Sequence, residues 1–439
     1  MGLLTFKGGI HPPQGKHLTE NSAIERLLPK GDLIFPMSQH IGGECKPIVN
    51  KGDRVLVGQK IGQAEGFVSS PIHSSVSGTI KNIVPMLHSN GRKIMSVIIE
   101  NDGLYEEIET TVHDYTKLNN EEIISIINEA GVVGLGGACF PTHVKLSPGS
   151  DKKIDTIIIN AAECEPYLTC DYRLMVENYK EIVEGVKILS HMFPNAKCYI
   201  GIEDNKKDAI SIMSSAVTDL KNIEVTPLKT KYPQGAEKQL IYAVTKREVP
   251  TGKLPADVGC IVQNVATAYE IRNVLFTGKP LTERVVTVTG EAIKNPKNLR
   301  VKLGTSIREL VEACNGFNED PVKIISGGPM MGTTLISIDT PVIKGTSGVL
   351  ALTAKQADLT EESSCIRCGK CVGACPMFLR PYKLNSSVVR RDFETFEKDN
   401  GLSCIECGAC TYVCPAKRHL TQTCREGKRV IINNRRKKK

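Results

Sequence analysis

The stretch "GVVGLGGACFPTHVKL", Gly131 to Leu146, contains four glycines but matches no common phosphate-loop pattern. A dinucleotide fingerprint would need glycine where Cys139 stands, and a Walker loop would need Gly-Lys followed by Ser or Thr. Glycines let backbone N–H groups approach a flat or phosphorylated ligand, with Lys145 in reach of its charge. A plain tight turn explains these residues equally well. The loop therefore indicates a ligand only in the context of its surroundings.

Helix and strand patterns alternate around this loop. Upstream, "NNEEIISIINEAG" predicts an amphipathic helix with Asn119 or Asn120 as N-cap and Gly131 beyond its end. Downstream, "KIDTIIINAAECEP" predicts a buried strand over residues 154–159. Similar alternation continues to about residue 280, which is typical of an α/β sheet domain.

Polar residues stand where two of these predicted strands end. Ligands of α/β sheets bind at the carboxyl ends of the strands. Asn160, Glu163 and Asn264 would lie there. The sequence therefore places the candidate binding site where this edge of the sheet meets the glycine-rich loop.

Eight of the 16 cysteines form two C-x2-C-x2-C-x3-C-P motifs near the C-terminal end. In two-cluster ferredoxins the fourth cysteine of such a motif serves the other cluster. Zinc is the alternative, although it usually takes two separated C-x2-C pairs. The other eight, including Cys424, have no ligand spacing and are predicted to be small buried hydrophobes. We predict two [4Fe–4S] centres, one on Cys365, Cys368, Cys371 and Cys414, the other on Cys404, Cys407, Cys410 and Cys375.

Charge is concentrated at the C-terminus. The last fifteen residues hold eight Lys or Arg and one Glu, so they carry +7 of the net charge of +8. The nearly neutral remainder argues against a nucleic-acid surface. The tail, residues 426–439, is expected to be a solvated, frayed end, with contact to an anionic membrane as the alternative. With no apolar run of about 18 residues and no leader pattern, we expect a cytoplasmic chain.

Four segments resemble a known family. "GLGGACFPTHVK", "NAAECEPY", "QGAEKQL" and "QNVAT" are similar, in this order, to the segments that hold FMN and NADH in the flavoprotein subunit of respiratory complex I. Together with "GGIHPPQGK" near the start and two ferredoxin motifs at the end, the chain resembles the RnfC subunit of the Rnf electron-transport complex over nearly its whole length.

This resemblance implies roles for individual residues. Those implied to bind FMN are Gly134, Gly136, Gly137, Lys145, Asn160, Glu163, Asn264 and Thr267. Those implied to receive the nicotinamide nucleotide are Phe140, Glu165 and Glu237. No side-chain acid or nucleophile is required for catalysis. The chain departs from the family pattern at several positions. Leu135 stands where the family has Arg, Cys139 where it has Gly, Ala162 where it has an acidic residue and Gln263 where it has Asn. Leu146 and Pro148 stand where the family has an aromatic pair.

The flanking segments resemble supporting modules. Residues 31–100 look like the barrel-sandwich hybrid of biotinyl and lipoyl carriers, without the carrier lysine. Residues 283–355 look like a soluble-ligand-binding β-grasp domain, in which "SGGPMMG" is predicted to be a tight loop. We expect a multidomain α/β and β protein with a helical ferredoxin-like C-terminal domain. Its predicted divisions are a barrel-sandwich region at 1–110, an α/β FMN and NADH domain at 115–280, a β-grasp at 281–355, the cluster domain at 356–425 and a basic tail at 426–439.

The function expected from the resemblance is electron transfer. Nicotinamide exchanges two electrons as hydride and a cubane exchanges one, so a flavin between them acts as converter. The family implies a peripheral subunit of ferredoxin:NAD+ oxidoreductase on the cytoplasmic side of the membrane, coupled through its partners to Na+ or H+ export. Its electrons would come from ferredoxin, directly or through a partner. Two alternatives are a cobalamin reductase of propanediol-using microcompartments and a scaffold in which clusters merely brace a docking domain.

Overall fold

Two small antiparallel sheets form an N-terminal barrel. The structure is a computed structural model and describes residues 2–437. β2, β8, β7 and β4 form one sheet and β3, β5 and β6 the other. Phe35, Ile61 and Ile80 from the two sheets are buried in one hydrophobic core, which confirms the barrel-sandwich prediction. The strands up to this point are β1 (Ile24–Leu27), β2 (Leu33–Pro36), β3 (Lys46–Pro47), β4 (Arg54–Val55), β5 (Lys60–Gln63), β6 (Ile72–His73), β7 (Gly78–Leu87) and β8 (Lys93–Asn101).

The first thirty residues belong to other parts of the molecule. Leu4 bridges Leu228 and Ile10 bridges Tyr232, both in the α/β domain. β1 pairs in parallel with a strand at 297–302, inside the predicted β-grasp. Within the predicted region 1–110, the N-terminal segment thus pairs with strands outside the barrel. Such pairing with distant strands leaves no local pattern in the sequence.

A parallel sheet in the order β11-β10-β9-β12 forms the core of the α/β domain. Asn119 is the N-cap of α1: its side chain accepts from the Glu122 N–H at 3.0 Å, and the Glu122 carboxylate accepts from the Asn119 N–H at 2.8 Å. The pattern of "LMVENYKEIVEGVKILSHM", residues 174–192, predicts one long helix, but Asn178 separates α3 from α4. The helices are α1 (Asn120–Glu129), α2 (Thr142–Leu146), α3 (Cys170–Glu177), α4 (Tyr179–Met192), α5 (Lys207–Ala216), α6 (Glu237–Thr245) and α7 (Val265–Thr277), and the strands are β9 (Thr156–Ala161), β10 (Lys197–Glu203), β11 (Ile223–Leu228) and β12 (Cys260–Asn264).

The β-grasp domain follows directly. Its sheet has the order β1-β14-β13-β17-β15-β16 and packs one face on helix α8 through Leu299, Leu310 and Val349, all in one core with the barrel. Its elements are β13 (Glu283–Thr289), β14 (Lys297–Lys302), α8 (Ile307–Ala313), β15 (Lys323–Ser326), β16 (Thr333–Thr334) and β17 (Gly348–Leu352).

Short helices surround the two cysteine motifs in the C-terminal domain. A small separate core holds them together, with Leu384, Phe396 and Cys424 buried in it. Short 3₁₀ turns complete the structure at Lys16–Leu18, Tyr115–Lys117, Pro255–Val258 and Gly401–Ser403. The helices are α9 (Lys370–Ala374), α10 (Pro381–Val389), α11 (Phe393–Lys398), α12 (Ala409–Tyr412) and α13 (Leu420–Lys437).

The tail is helical rather than frayed over residues 426–437, and it is solvated as expected over residues 432–437. α13 runs to Lys437 and buries Leu420, Cys424, Gly427 and Ile431 along one face. These residues recur every three or four positions, so one stripe of the helix packs against α10 and α11. Residues 438–439 of the predicted tail lie outside the described residues. Within residues 2–437, none of the helices combines the length and apolar character that crossing a bilayer requires.

Candidate cofactor sites

Two cavities in the C-terminal domain each collect four of the motif cysteines. Each cavity receives three cysteines from one motif and the fourth from the other, which is the exchanged arrangement predicted from the sequence. The first cavity is lined by Cys365, Cys368, Cys371 and Cys414. The second is lined by Cys375, Cys404, Cys407 and Cys410.

The donor set fits iron–sulfur cubanes. Thiolates are the ligands of such clusters, and each set of four surrounds a space rather than a point. Within residues 2–437, no three His, Cys, Asp or Glu side chains converge to hold a single ion. Zinc needs its ligands within about 2.0–2.3 Å of one centre. The arrangement of the sulfurs therefore favours clusters over the zinc alternative.

The two cavities differ in their surroundings. Cys365 in the first cavity is exposed to solvent. The second cavity lies against the α/β domain: the buried Tyr232 hydroxyl donates to the Cys407 carbonyl at 2.7 Å. The Gln239 amide also donates to the Pro376 carbonyl at 3.3 Å. The second cavity is thus the inner one, and the first faces outward.

A fifth thiol lines the second cavity. Cys424 of α13 is 1% exposed and was predicted to be a small buried hydrophobe, but its side chain lies among the four predicted ligands. The spacing of Leu420, Cys424, Gly427 and Ile431 would have placed it on the buried face of a helix. It would not have revealed the cavity that this face meets.

The glycine-rich loop leaves α1 and folds back on itself. The Gly134 N–H donates to the Phe140 carbonyl at 2.9 Å, and Phe140 is half-buried. Gly137 has φ +105°, and a Cβ there would meet no atom within 4 Å. A Cβ on Gly136 would lie 3.3 Å from the Asn264 side chain. Gly136 therefore packs against Asn264, while the open backbone at Gly137 suits close approach of a flat ligand.

Asn160 and Asn264 are neighbours in register at the carboxyl ends of β9 and β12. The Asn160 amide donates to the Gly235 carbonyl at 2.8 Å. The Asn264 side-chain oxygen caps α7 by accepting a hydrogen bond from the Ala266 N–H. Thr267 lies one turn into that helix, and its hydroxyl accepts from the Leu135 N–H at 2.9 Å. The structure thus brings the loop, both asparagines and Thr267 together, as predicted for the edge of this sheet.

Lys145 and Glu237 contact each other. The Lys145 ammonium lies 2.9 Å from the Glu237 carboxylate and donates to the Val262 carbonyl at 3.1 Å. The resemblance assigned the first to the flavin and the second to the nucleotide. Because both side chains are partly exposed, breaking this ion pair costs little free energy, and either side chain can then contact a ligand.

Glu163 is buried, and its φ of +47° turns the chain sharply after β9. Its carboxylate accepts from the Asp171 N–H at 2.7 Å at the start of α3. Burial raises its pKa, although the neighbouring ammonium of Lys16 opposes this. Lys16 itself donates to the carbonyls of Glu163 and Glu165 at 2.9 and 3.0 Å. Lys16 lies in the N-terminal "GGIHPPQGK" segment, and no motif in that segment had assigned it a role.

Glu165 faces the β-grasp domain. Its carboxylate accepts from the backbone N–H groups of Met330 and Met331 at 3.1 and 2.9 Å. These residues belong to "SGGPMMG", which is a tight loop as predicted. Burial raises the pKa of Glu165 to about 7. Here the carboxylate is occupied by this loop, so the structure does not group it with Lys145, Glu237 and the strand ends.

Unpaired polar atoms next to Asn264 fit a polar ligand. Gln263 is 1% exposed, and neither its amide nitrogen nor its amide oxygen has a hydrogen-bond partner. A buried amide without partners is costly unless a bound group or water completes it. Together with the bare loop, Gln263 fits the binding of a flavin mononucleotide at this edge of the sheet.

Comparison with family models agrees with these four units. Residues 4–104 match the RnfC barrel sandwich hybrid domain, and residues 127–273 match the Nuo51 FMN-binding domain. Residues 285–334 match the SLBB domain, and residues 364–419 match a 4Fe-4S dicluster domain. The chain therefore carries an FMN-binding domain and two iron–sulfur clusters.

Two curated relatives match the chain over most of its length. The first is the C subunit of the Na(+)-translocating ferredoxin:NAD(+) oxidoreductase complex of Acetobacterium woodii, 48% identical over 99% of this chain and 98% of that protein. The second is the C subunit of the proton-translocating ferredoxin:NAD(+) oxidoreductase complex of Clostridium ljungdahlii, 49% identical over 87% of this chain and 84% of that protein.

A solved structure shares the fold only. The NAD+-reducing [NiFe]-hydrogenase in the H2-reduced state superposes with a TM-score of 0.50 at 15% identity, covering 73% of this chain and 62% of that chain, which is under two thirds of its length. The curated relatives decide the family, and neither alternative function predicted from the sequence is supported by them. The chain belongs to the RnfC family, the C subunits of Rnf ferredoxin:NAD+ oxidoreductase complexes.

Proposed function

We propose that this chain is the subunit that exchanges electrons with NAD(H) in a membrane-associated ferredoxin:NAD+ oxidoreductase complex. The observation that carries the proposal is the contact between the second cavity and the α/β domain, through Tyr232 and Gln239. This contact joins the α/β domain, which contains the candidate flavin site, to the inner cluster cavity. The exchanged cysteines join the inner cluster cavity to the outer one. When bound, FMN supplies the conversion between paired and single electrons.

We assign the binding of this cofactor to the loop and strand ends. Gly134, Gly136 and Gly137 let the backbone approach the flavin. The side chains of Asn264 and Thr267 contact the loop directly, and Asn160 lies beside Asn264 and holds the Gly235 backbone. Glu163 holds the turn after β9 and the start of α3. Lys145 provides positive charge for the phosphate or the reduced ring once it leaves Glu237.

We assign the nucleotide to the same edge of the sheet. Phe140 lies in the loop, and Glu237 contacts Lys145 of α2, directly after the loop. Both would orient the nicotinamide ring toward the flavin, which lowers the entropic cost of reaching a reactive geometry. Glu165 can join them only if the Met330–Met331 backbone releases its carboxylate. Nucleotide binding by Glu165 thus requires movement of the "SGGPMMG" loop.

The outer cavity is the proposed entry point for single electrons. Its rim carries Ile366, which is 67% exposed, and the bases Arg367 and Arg418. An apolar, positively charged rim suits an acidic redox partner, because opposite charges steer association. The partner is ferredoxin or another cluster-bearing protein of the complex.

The C-terminal end of α13 is the proposed contact with the membrane. Arg435, Arg436 and Lys437 form its last turn. Each base near an anionic leaflet contributes about 1 kcal/mol to binding. On this proposal the chain lies on the cytoplasmic side of the membrane. The complexes of the two relatives are named for different ions, although both relatives are nearly equally identical to this chain. We therefore assign Na+ or H+ export to partner subunits.

An anaerobic titration of the reconstituted chain with NADH tests this function. The flavin absorbance should bleach first and the iron–sulfur absorbance afterwards. Lys145→Ala and Asn264→Ala should lower flavin content and leave iron content unchanged. A preparation with eight irons and no flavin, or one in which NADH bleaches neither absorbance, would contradict the proposal.

A further inference from the structure

Two cavities lie one behind the other between the solvent and the glycine-rich loop. The outer one is a cleft that opens between the barrel, α7 and the β-grasp. The inner one is small and reaches Leu135 in the loop. Glu270 of α7 is the residue that lines both, and it is 8% exposed. Glu270 therefore lies between the outer cleft and the interior.

The inner cavity is lined by ionisable groups although it is buried. Asp171 of α3 lines it as well as Glu270, together with Tyr269, Arg284 and Arg300. Apolar side chains such as Leu174 and Val285 complete the lining, and the cavity has room for roughly one water molecule. Burying ionisable side chains beside apolar ones costs stability and calls for a reason.

The inner end of this series meets the candidate flavin site. The Asp171 carboxylate accepts from the Asn264 amide at 2.7 Å, and Asn264 is the residue that faces Gly136. Arg284 donates to the Leu135 carbonyl in the same loop at 3.3 Å. Glu270 and Asp171 thus form a series from the outer cleft to the back of the loop.

Reduction of NAD+ to NADH consumes two electrons and one proton. Iron–sulfur centres deliver the electrons singly and bring no proton, so the proton comes from water. Resting on the function proposed above, we propose that Glu270 and Asp171 carry this proton between the outer cavity and the flavin loop. Glu270 gives its proton across the inner cavity to Asp171 and takes another from water in the cleft. Asp171 delivers it beside Asn264, and NADH oxidation runs the same path in reverse.

The ionisation of both groups suits this role. Burial and the nearby carboxylate of Glu283 raise the pKa of Glu270 to about 8, against the attraction of Arg300 and Arg284. Burial and Glu163 raise the pKa of Asp171 to about 7, against its hydrogen bond from Asn264 and the charges of Arg284 and Lys16. Groups that bind and release a proton near neutral pH are the most effective at proton transfer.

The decisive variant is Glu270→Gln in the full chain reconstituted with FMN and both clusters. Gln has the shape of the protonated carboxyl group, so folding, flavin content, iron content and midpoint potentials should match wild type. The rate of NAD+ reduction, driven by a low-potential chemical reductant, should fall on the order of a hundredfold. The solvent deuterium isotope effect should rise, and a small weak acid such as acetic acid should restore part of the rate. Glu270→Asp should keep more of the rate than Gln.

A matched control and a spectroscopic measurement complete the test. Glu107→Gln removes a carboxylate from the same outer cavity that has no connection to Asp171, and it should leave the rate unchanged. Infrared difference spectra of wild type should show a protonated carboxyl band that Glu270→Gln removes. If the Gln variant reduces NAD+ at the wild-type rate with an unchanged isotope effect, the relay is refuted while the proposed function stands. If wild type binds no flavin or does not reduce NAD+, the proposed function fails first.

Discussion

Removing the Tyr232 hydroxyl should loosen the contact between the flavin domain and the inner cluster. Tyr232 is 1% exposed, and its hydroxyl donates to the Cys407 carbonyl at 2.7 Å within the loop that carries three of the predicted ligands. In Tyr232→Phe the ring still packs, but the buried carbonyl loses its donor. An unsatisfied buried acceptor costs about 1–3 kcal/mol, and release of the hydroxyl from burial offsets part of this. We expect a net loss of about 1–2 kcal/mol in the local stability of the segment 404–414.

Hydrogen exchange followed by mass spectrometry measures this loss. A change of about 1–2 kcal/mol corresponds to roughly 5- to 30-fold faster exchange in peptides covering residues 404–414. Flavin and iron contents should stay at wild-type levels, and electron transfer from flavin to iron should slow. Tyr172→Phe is the matched control, because its hydroxyl bonds to Asp208 on an exposed surface. Unchanged exchange over 404–414 in Tyr232→Phe, or equal acceleration in Tyr172→Phe, would refute this reasoning.

Three further predictions concern the clusters, the loop and the pH dependence. Cys375→Ala should remove the inner cluster alone, lowering iron from about eight to about four per chain while the outer cluster keeps its EPR signal; loss of the outer signal would contradict the exchanged ligand assignment. Gly137→Ala should keep the fold but weaken flavin binding about tenfold, as measured by flavin fluorescence, because φ +105° strains any residue with a Cβ by about 1–2 kcal/mol. Glu270 has a folded-state pKa of about 8, above its unfolded value, so its neutral form is favoured by folding and stability falls as pH rises from about 4.5 to 8. In Glu270→Gln, chemical denaturation should show a smaller loss of stability over this pH range, by on the order of 5 kcal/mol, and a pH dependence equal to wild type would contradict the assignment.

Several parts of the fold follow from local patterns. The helix before the loop has its N-cap at Asn119 and Gly131 beyond its end, as the capping residues predict. The predicted strand over 154–159 is observed at Thr156–Ala161, two residues further along. Such patterns succeed because caps and apolar periodicity act over one or two turns of chain. For the same reason they missed the break at Asn178 and the packing of α13.

Site residues were predicted to the extent that they share a loop or strand end. Asn160 lies beside Asn264 because the carboxyl ends of parallel strands lie at one edge, and Asn264 and Thr267 contact the glycine-rich loop. Glu165 was grouped with them by resemblance, but its carboxylate is held by a loop 165 residues away in the sequence. No pattern around Glu165 indicates this partner.

The sequence by itself determined the two cluster motifs and predicted the exchange of their fourth cysteines, because both depend on spacing within a short piece of chain. The flavin-binding segments were predicted from family resemblance alone. Tertiary structure alone decided that the cavity of Cys375 lies against the flavin domain, that Cys424 joins it, and that Glu270 and Asp171 line one interior cavity. These relations join residues more than a hundred positions apart or on different elements. They arise when sheets and helices pack to bury apolar surface, and that packing has no signature in any single segment.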